Sequence, residues 1–160
     1  MGTNKELDTL VIADSGLKLG AGAGTAVTAT AAELNLLDGC PASVTFVVGA
    51  ENTTNGTINV TMQLKDGTGA DIAVRGSVFA YLSNDANGDS LITTAPSSGW
   101  AIGTDGLLIP VVTNKAAQLV SESDGDIDVT LTEAGALTCY LIAVLPHGKL
   151  NASGAITFAP

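Results

Sequence analysis

The sequence predicts an all-β fold, an immunoglobulin-like β-sandwich preceded by an extended N-terminal arm with a short helix. Three observations predict it. From Ser43 onward the apolar residues alternate, or run in strand-sized blocks. Turn-rich stretches such as Asp66-Gly67 and Asp124-Gly125 separate those blocks, and no convincing long helix lies among them. Eight or so short strands with one-sided apolar faces need a second sheet to bury them, and a sandwich supplies it.

The arm, residues 1–42, comes first. A short apolar segment, Leu7 to Ala13, leads into Gly20-Ala21-Gly22-Ala23-Gly24, where small side chains pack little and ordering the backbone is entropically expensive. That piece is expected to be a flexible or extended connector. Next comes helix punctuation. Thr30 suits an N-cap, Glu33 stands three residues on as its capping-box partner, and Gly39 ends one or two turns carrying Leu34, Leu36 and Leu37. These three leucines are the first interface candidates.

The sandwich, residues 43–160, opens with Ser43 to Val48. Thr57 to Lys65 alternates strictly, with Ile58, Val60, Met62 and Leu64 on one face and Asn59, Thr61, Gln63 and Lys65 on the other. It reads as a half-buried strand. Val74 to Leu82 differs, because Val78, Ala80 and Leu82 share one face while Phe79 and Tyr81 share the other. Both faces should be covered, by sheet interior or by a subunit contact. Further strands are expected at Leu91–Thr94, Leu107–Val112, Ala117–Val120 and Ile127–Thr132. A final pair, Leu137–Leu145 and Ala152–Ala159, flanks the turn Pro146-His147-Gly148-Lys149. Tyr140, just past the Glu133–Ala136 turn, is placed as a corner tyrosine of an immunoglobulin-like domain.

Composition narrows the function. The chain has 160 residues, 46% hydrophobic, 14% charged and 4% aromatic, enough for one self-sufficient core without staples. A net charge of -10 repels phosphate backbones and anionic lipid, so neither nucleic acid nor membrane is an expected partner. The apolar run Leu141–Leu145 is far short of the roughly 20 residues that cross a bilayer. The N-terminus lacks the basic start and apolar stretch of an export signal, so synthesis in a cytoplasm is expected. Cys40 and Cys139 match neither a zinc spacing nor a disulfide framework.

No residue set points to catalysis, and no cofactor is expected. His147 reads as an exposed loop histidine, and no nucleophile-elbow pattern surrounds any serine. Asp85-Ala86-Asn87-Gly88-Asp89-Ser90 spaces oxygen ligands as calcium loops do, but the sixth and twelfth positions, where Gly and Glu are needed, are Ser90 and Pro96. Glu122, Asp124, Asp126 and Asp128 form a second acidic cluster, open either to a calcium ion or to a hydrolytic carboxylate pair. Solvated turns are the preferred reading of both, and no metal site is assigned. Trp100 is an interface candidate, though a lone Trp more commonly plugs the end of a sandwich core.

The stretch Val27-Thr28-Ala29-Thr30-Ala31-Ala32-Glu33-Leu34-Asn35-Leu36-Leu37-Asp38-Gly39 resembles the T-A-x-E-L-N-x-L-D-G segment of structural proteins of tailed bacteriophages. More loosely, Val60–Leu82 and Asp126–Phe158 are similar to head decoration and head-fibre proteins. The resemblance implies a non-enzymatic protein on the capsid exterior, homotrimeric, with the arm as its attachment to the major capsid protein. A tail fibre or adhesin tip binding host-surface glycan through Trp100 and the Asp85–Asp89 turn is the alternative.

Overall fold

The computed structural model describes residues 40–160, together with the short strands Lys18–Leu19 (β1) and Thr25–Ala26 (β2). The chain divides into two units, Met1–Leu37 and Asp38–Pro160. In the first, β1 and β2 pair as an antiparallel ribbon, Lys18 opposite Ala26 and Leu19 opposite Thr25. That ribbon was not expected from the sequence. The expected helix at Thr30–Gly39, the Gly20–Gly24 connector, and Leu34, Leu36 and Leu37 lie outside the described residues.

The second unit is all-β, with two antiparallel sheets and no helix among the described residues. Its strands are Ser43–Val48 (β3), Thr57–Lys65 (β4), Ser77–Ser83 (β5), Gly99–Ile102 (β6), Leu107–Val112 (β7), Ala116–Val120 (β8), Asp126–Thr132 (β9), Leu137–Val144 (β10), Leu150–Ala152 (β11) and Ile156–Phe158 (β12). One sheet has four strands in the order β3-β4-β9-β6. The other has six, β11-β10-β5-β8-β7, with β12 also paired to β10.

Alternation builds the core from both sheets. Ile58, Val60, Met62 and Leu64 of β4 face inward beside Ile127, Val129 and Leu131 of β9, all 2% exposed or less. Val78, Ala80 and Leu82 of β5 join Ala117 and Leu119 of β8 and Cys139, Leu141 and Ala143 of β10 in the same cluster. These apolar faces are removed from water together, and that shared burial is the main force holding the unit folded.

Three elements depart from the expected strand set. Leu91–Thr94 is not a strand: Leu91 makes one isolated bridge to Ser83, and Ile92 N–H donates to Leu82 O at 2.8 Å. Gly99–Ile102, which the sequence hides in a Pro/Ser/Gly-rich stretch, is one, because Trp100 lies opposite Leu131 and Ile102 opposite Val129 on the core side.

The expected strand Ala152–Ala159 splits into β11 and β12. Registers of Ile142 with Ala152 and of Cys139 with Ile156 differ by one residue, so a bulge lies between them. Ser153 heals it. Its N–H donates to Leu141 O and its Oγ accepts from Leu141 N–H, both at 2.9 Å.

Candidate functional site

Both acidic loops are wired inward. In Asp85–Ser90, Asp85 Oδ1 accepts N–H bonds from Asn87 and Gly88 at 2.9 Å, and Oδ2 accepts the Ser90 hydroxyl at 3.1 Å. Desolvation works to raise the Asp85 carboxyl pKa, but the Ser90 hydroxyl and these N–H donors outweigh it and hold it below the usual carboxylate value. The carboxylate thus serves as the loop's own cap.

The cap positions the loop over the six-stranded sheet. Tyr81 Oη donates to Gly88 O at 2.6 Å, and Gly88 has φ +79°. A Cβ there would stand 2.8 Å from Tyr81 Oη and 3.3 Å from side-chain carbons of Ile142 and Leu150. Tyr81, rather than the expected Tyr140, is therefore the tyrosine that ties down a turn. Tyr140 is half-buried, with no such tie among the described residues.

The Glu122–Asp128 cluster is dispersed among separate partners. Glu122 Oε2 accepts from Arg75 at 2.9 Å, and Asp128 Oδ1 accepts the Thr61 hydroxyl at 2.8 Å. Asp128 also accepts the Thr104 hydroxyl. Asp126 caps its own following N–H, that of Ile127, at 2.9 Å. Burial, joined by the charges of Asp128, Asp124 and Asp105, pushes the Asp126 carboxyl above its ordinary value. Among the described residues, no group of three or more His, Cys, Asp or Glu side chains is arranged to hold a metal ion.

A third acidic feature was not foreseen: a polar cleft of ≈ 370 Å³ between the β3–β4 and β9–β10 turns, with Glu51 and Glu133 among its walls. Glu133 Oε2 accepts Ser97 N–H at 2.7 Å and Oε1 accepts Gly135 N–H at 2.9 Å. Desolvation acts to raise the Glu133 carboxyl pKa, but these donors outweigh it and lower the pKa. Glu51 Oε2 accepts Ala159 N–H at 2.9 Å. Gly56, with φ +60°, closes the wall, since a Cβ would sit 2.1 Å from Glu133 O. Both carboxylates brace backbone. Only hydrogen bonds across the chain fold bring these residues together, so no local motif signals the cleft.

Trp100 is 8% exposed and belongs to the core cluster, opposite Leu131, so little of its ring is available at the surface. His147 is exposed in the Leu145–Lys149 turn, closed by Leu145 N–H to Lys149 O at 2.9 Å. Cys139 is buried, and burial pushes its thiol up to about 11, leaving no thiolate nucleophile at neutral pH.

The remaining surface feature is the outer face of the six-stranded sheet. Register places Leu107, Ile109 and Val112 of β7, Ala116, Gln118 and Val120 of β8, and Phe79 and Tyr81 of β5 on that face. Tyr140, Ile142 and Val144 of β10 and Leu150 of β11 continue it. The Phe79 and Tyr81 rings stand 6.3 Å apart on it. No protein-family model and no curated protein matches the chain.

Proposed function

We propose that this chain is a non-enzymatic structural protein of a tailed-phage virion, carried on the outside of the head as a decoration, cement or head-fibre protein. Residues 1–42 contact the major capsid protein, and the β unit projects and self-associates as a trimer. The supporting observation is the division of the β unit's surface. The strands of the six-stranded sheet carry no charged residue and leave Leu107, Ile109 and Val112 exposed on the outer face at the β7 edge, whereas Asp126 and Asp128 lie on the outer face of the other sheet, a division suited to an assembly component. The similarity of Val27–Gly39 to phage structural proteins supplies the virion context. Many weak contacts on a lattice sum to durable attachment through effective concentration.

We also infer an immunoglobulin-like topology for the β unit. The order β3-β4-β9-β6 parallels strands A-B-E-D of that fold, and β11/β12-β10-β5 parallels G-F-C. The chain departs from the parent pattern between β5 and β9. There it visits the D position first and then adds the β7–β8 hairpin beside β5.

Cryo-electron microscopy of the phage particle tests the functional reading. Density on the head surface, contacted through residues 1–42, is expected, and a chain beginning at Ser43 should stay folded but leave the particle. Density at the tail tip would replace this reading with receptor binding. Absence from the particle would overturn both.

A further inference from the structure

We infer that Asn55-Gly56, in the β3–β4 turn, is a site of spontaneous modification at which Asn55 converts to aspartate and isoaspartate, while the fold holds the chain's other Asn-Gly pair, Asn87-Gly88, unreactive. This chemistry is independent of where the protein is carried.

Asparagine before glycine is the setting in which the conversion is fastest, because glycine has no side chain to hinder its own amide nitrogen. That nitrogen loses its proton and attacks the side-chain amide carbon of the asparagine. A C–N bond forms, ammonia leaves, and a cyclic succinimide results. Water then adds to either ring carbonyl and opens it to an aspartyl or an isoaspartyl residue. Nothing is oxidised or reduced, and water is the sole co-reactant. The glycine N–H must therefore be free to lose its proton, and the asparagine side chain free to turn toward it.

The sequence holds two Asn-Gly pairs, and both asparagines are exposed. Solvent access does not separate them. The bonding of the glycine nitrogen does. Gly88 N–H donates to Asp85 Oδ1 at 2.9 Å and to Asp85 O at 3.4 Å. Removing its proton would set a negative nitrogen against a carboxylate and forfeit a charge-assisted hydrogen bond. Asn87 N–H donates to the same Oδ1, and Tyr81 Oη holds Gly88 O, so the whole pair is clamped.

At the other pair the turn's bonds fall elsewhere. Asn55 N–H donates to Asn52 O at 3.1 Å, and Gly56 O accepts Glu133 N–H at 2.8 Å. Among the described residues, neither Gly56 N–H nor the Asn55 side chain takes part in a hydrogen bond. The nearby carboxylates of Glu51 and Glu133 accept from Ala159, Ser97 and Gly135, not from Gly56.

The product alters the cleft. Asn55 lines it together with Glu51 and Glu133, so conversion adds a carboxylate beside two others. The isoaspartyl form also lengthens the main chain by a methylene just before Gly56, whose α-carbon fits against Glu133 O. The tie between the β3–β4 and β9–β10 turns should loosen as the protein ages.

Peptide mapping by mass spectrometry, after the full chain is incubated in heavy-oxygen water at mildly alkaline pH, tests this. In the folded protein the Asn55 peptide should take up solvent oxygen with the amide-to-acid mass shift and split into aspartyl and isoaspartyl forms, roughly tenfold or more faster than the Asn87 peptide. In urea the two peptides should react at comparable rates, which assigns the difference to the fold. Asp85→Ala removes the acceptor from Gly88 N–H and should speed reaction at Asn87 in a unit still folded by circular dichroism. Equal rates in the folded wild type, faster reaction at Asn87, or an Asn55 that stays intact while the unfolded chain reacts would each overturn the inference. A folded Asp85→Ala protein with Asn87 still inert would do so too.

Discussion

Two outer faces, built on the same alternation and covering the same core, differ in chemistry. On the four-stranded sheet the outward residues of β4 and β9 are Asn59, Thr61 and Gln63 opposite Thr130, Asp128 and Asp126. They bond across the strands, Thr130 to Asn59 and Thr61 to Asp128, both at 2.8 Å. On the six-stranded sheet the corresponding rows are Phe79 and Tyr81 opposite Val144 and Ile142. The first face is finished by water and hydrogen bonds. The second needs cover, and receives part of it from the Asp85–Ser90 loop. Apolar alternation alone thus does not say which side of a strand is the inside.

The largest expected effect breaks this comparison directly. Ile142→Ala, at a fully buried position on an outer face, should destabilise the unit by about 2–4 kcal/mol, as a core truncation does. Thr45→Ala, at an exposed outward position on the other sheet, should change stability by no more than about 0.5 kcal/mol. Urea titrations of both variants measure the contrast, and equal effects would remove the distinction between the faces.

The cover itself is next. Tyr81→Phe deletes the bond to Gly88 O and should lower stability by about 1 kcal/mol. Gly88→Ala, which places a Cβ at positive φ against Tyr81, should cost about 1–2 kcal/mol. Thermal melts, paired with proteolysis of the 85–90 loop, separate a loosened loop from global unfolding.

Acidity distinguishes the faces more weakly. Asp126, on the polar face, has its carboxyl raised by burial and then by Asp128, Asp124 and Asp105. A raised carboxyl means the folded state disfavours the charge. Stability is therefore greatest below the unfolded value of about 4 and declines as pH rises through the folded one. Asp126→Asn should stabilise the unit at pH 7 by a few tenths of a kcal/mol, discounted for solvent screening, with the gain vanishing in acid. Glu133 has the opposite sign. Its lowered carboxyl favours the fold above the unfolded value, and that share is lost as pH falls through the folded one. Melts of Asp126→Asn and Glu133→Gln between acid and neutral pH should move in opposite directions.

The smallest effect probes the inner face. Cys139, buried with a raised thiol, should react with a thiol reagent only after unfolding, whereas half-exposed Cys40 should react in the native state. Native labelling of both would place Cys139 outside the core.

Much of the fold was legible in the sequence. Thr57–Lys65 and Leu107–Val112 match their expected spans, because strict alternation or a β-branched run is a local signal. Gly99–Ile102 was not legible, since its strand identity comes from Trp100 and Ile102 meeting Leu131 and Val129 across the sheet rather than from its own Gly-rich setting. Nor was the break in the last strand, which depends on Ser153 bonding to Leu141 from twelve residues away. The candidate site was only half legible. Phe79 and Tyr81 announced a second apolar face on β5, but their companions Ile109, Ile142 and Leu150 are brought beside them by pairing alone.

By itself the sequence determined the all-β class, the placement of most strands and the acidic charge, all of which follow from local periodicity and composition. Only the tertiary structure decided that β5, β7, β8, β10, β11 and β12, none with a charged residue, would share one sheet, that Asp85 would cap its own loop, and that Tyr81 would anchor that loop over Ile142. Those outcomes depend on register between distant segments, which the free energy of the whole packed unit selects and no short window of sequence encodes.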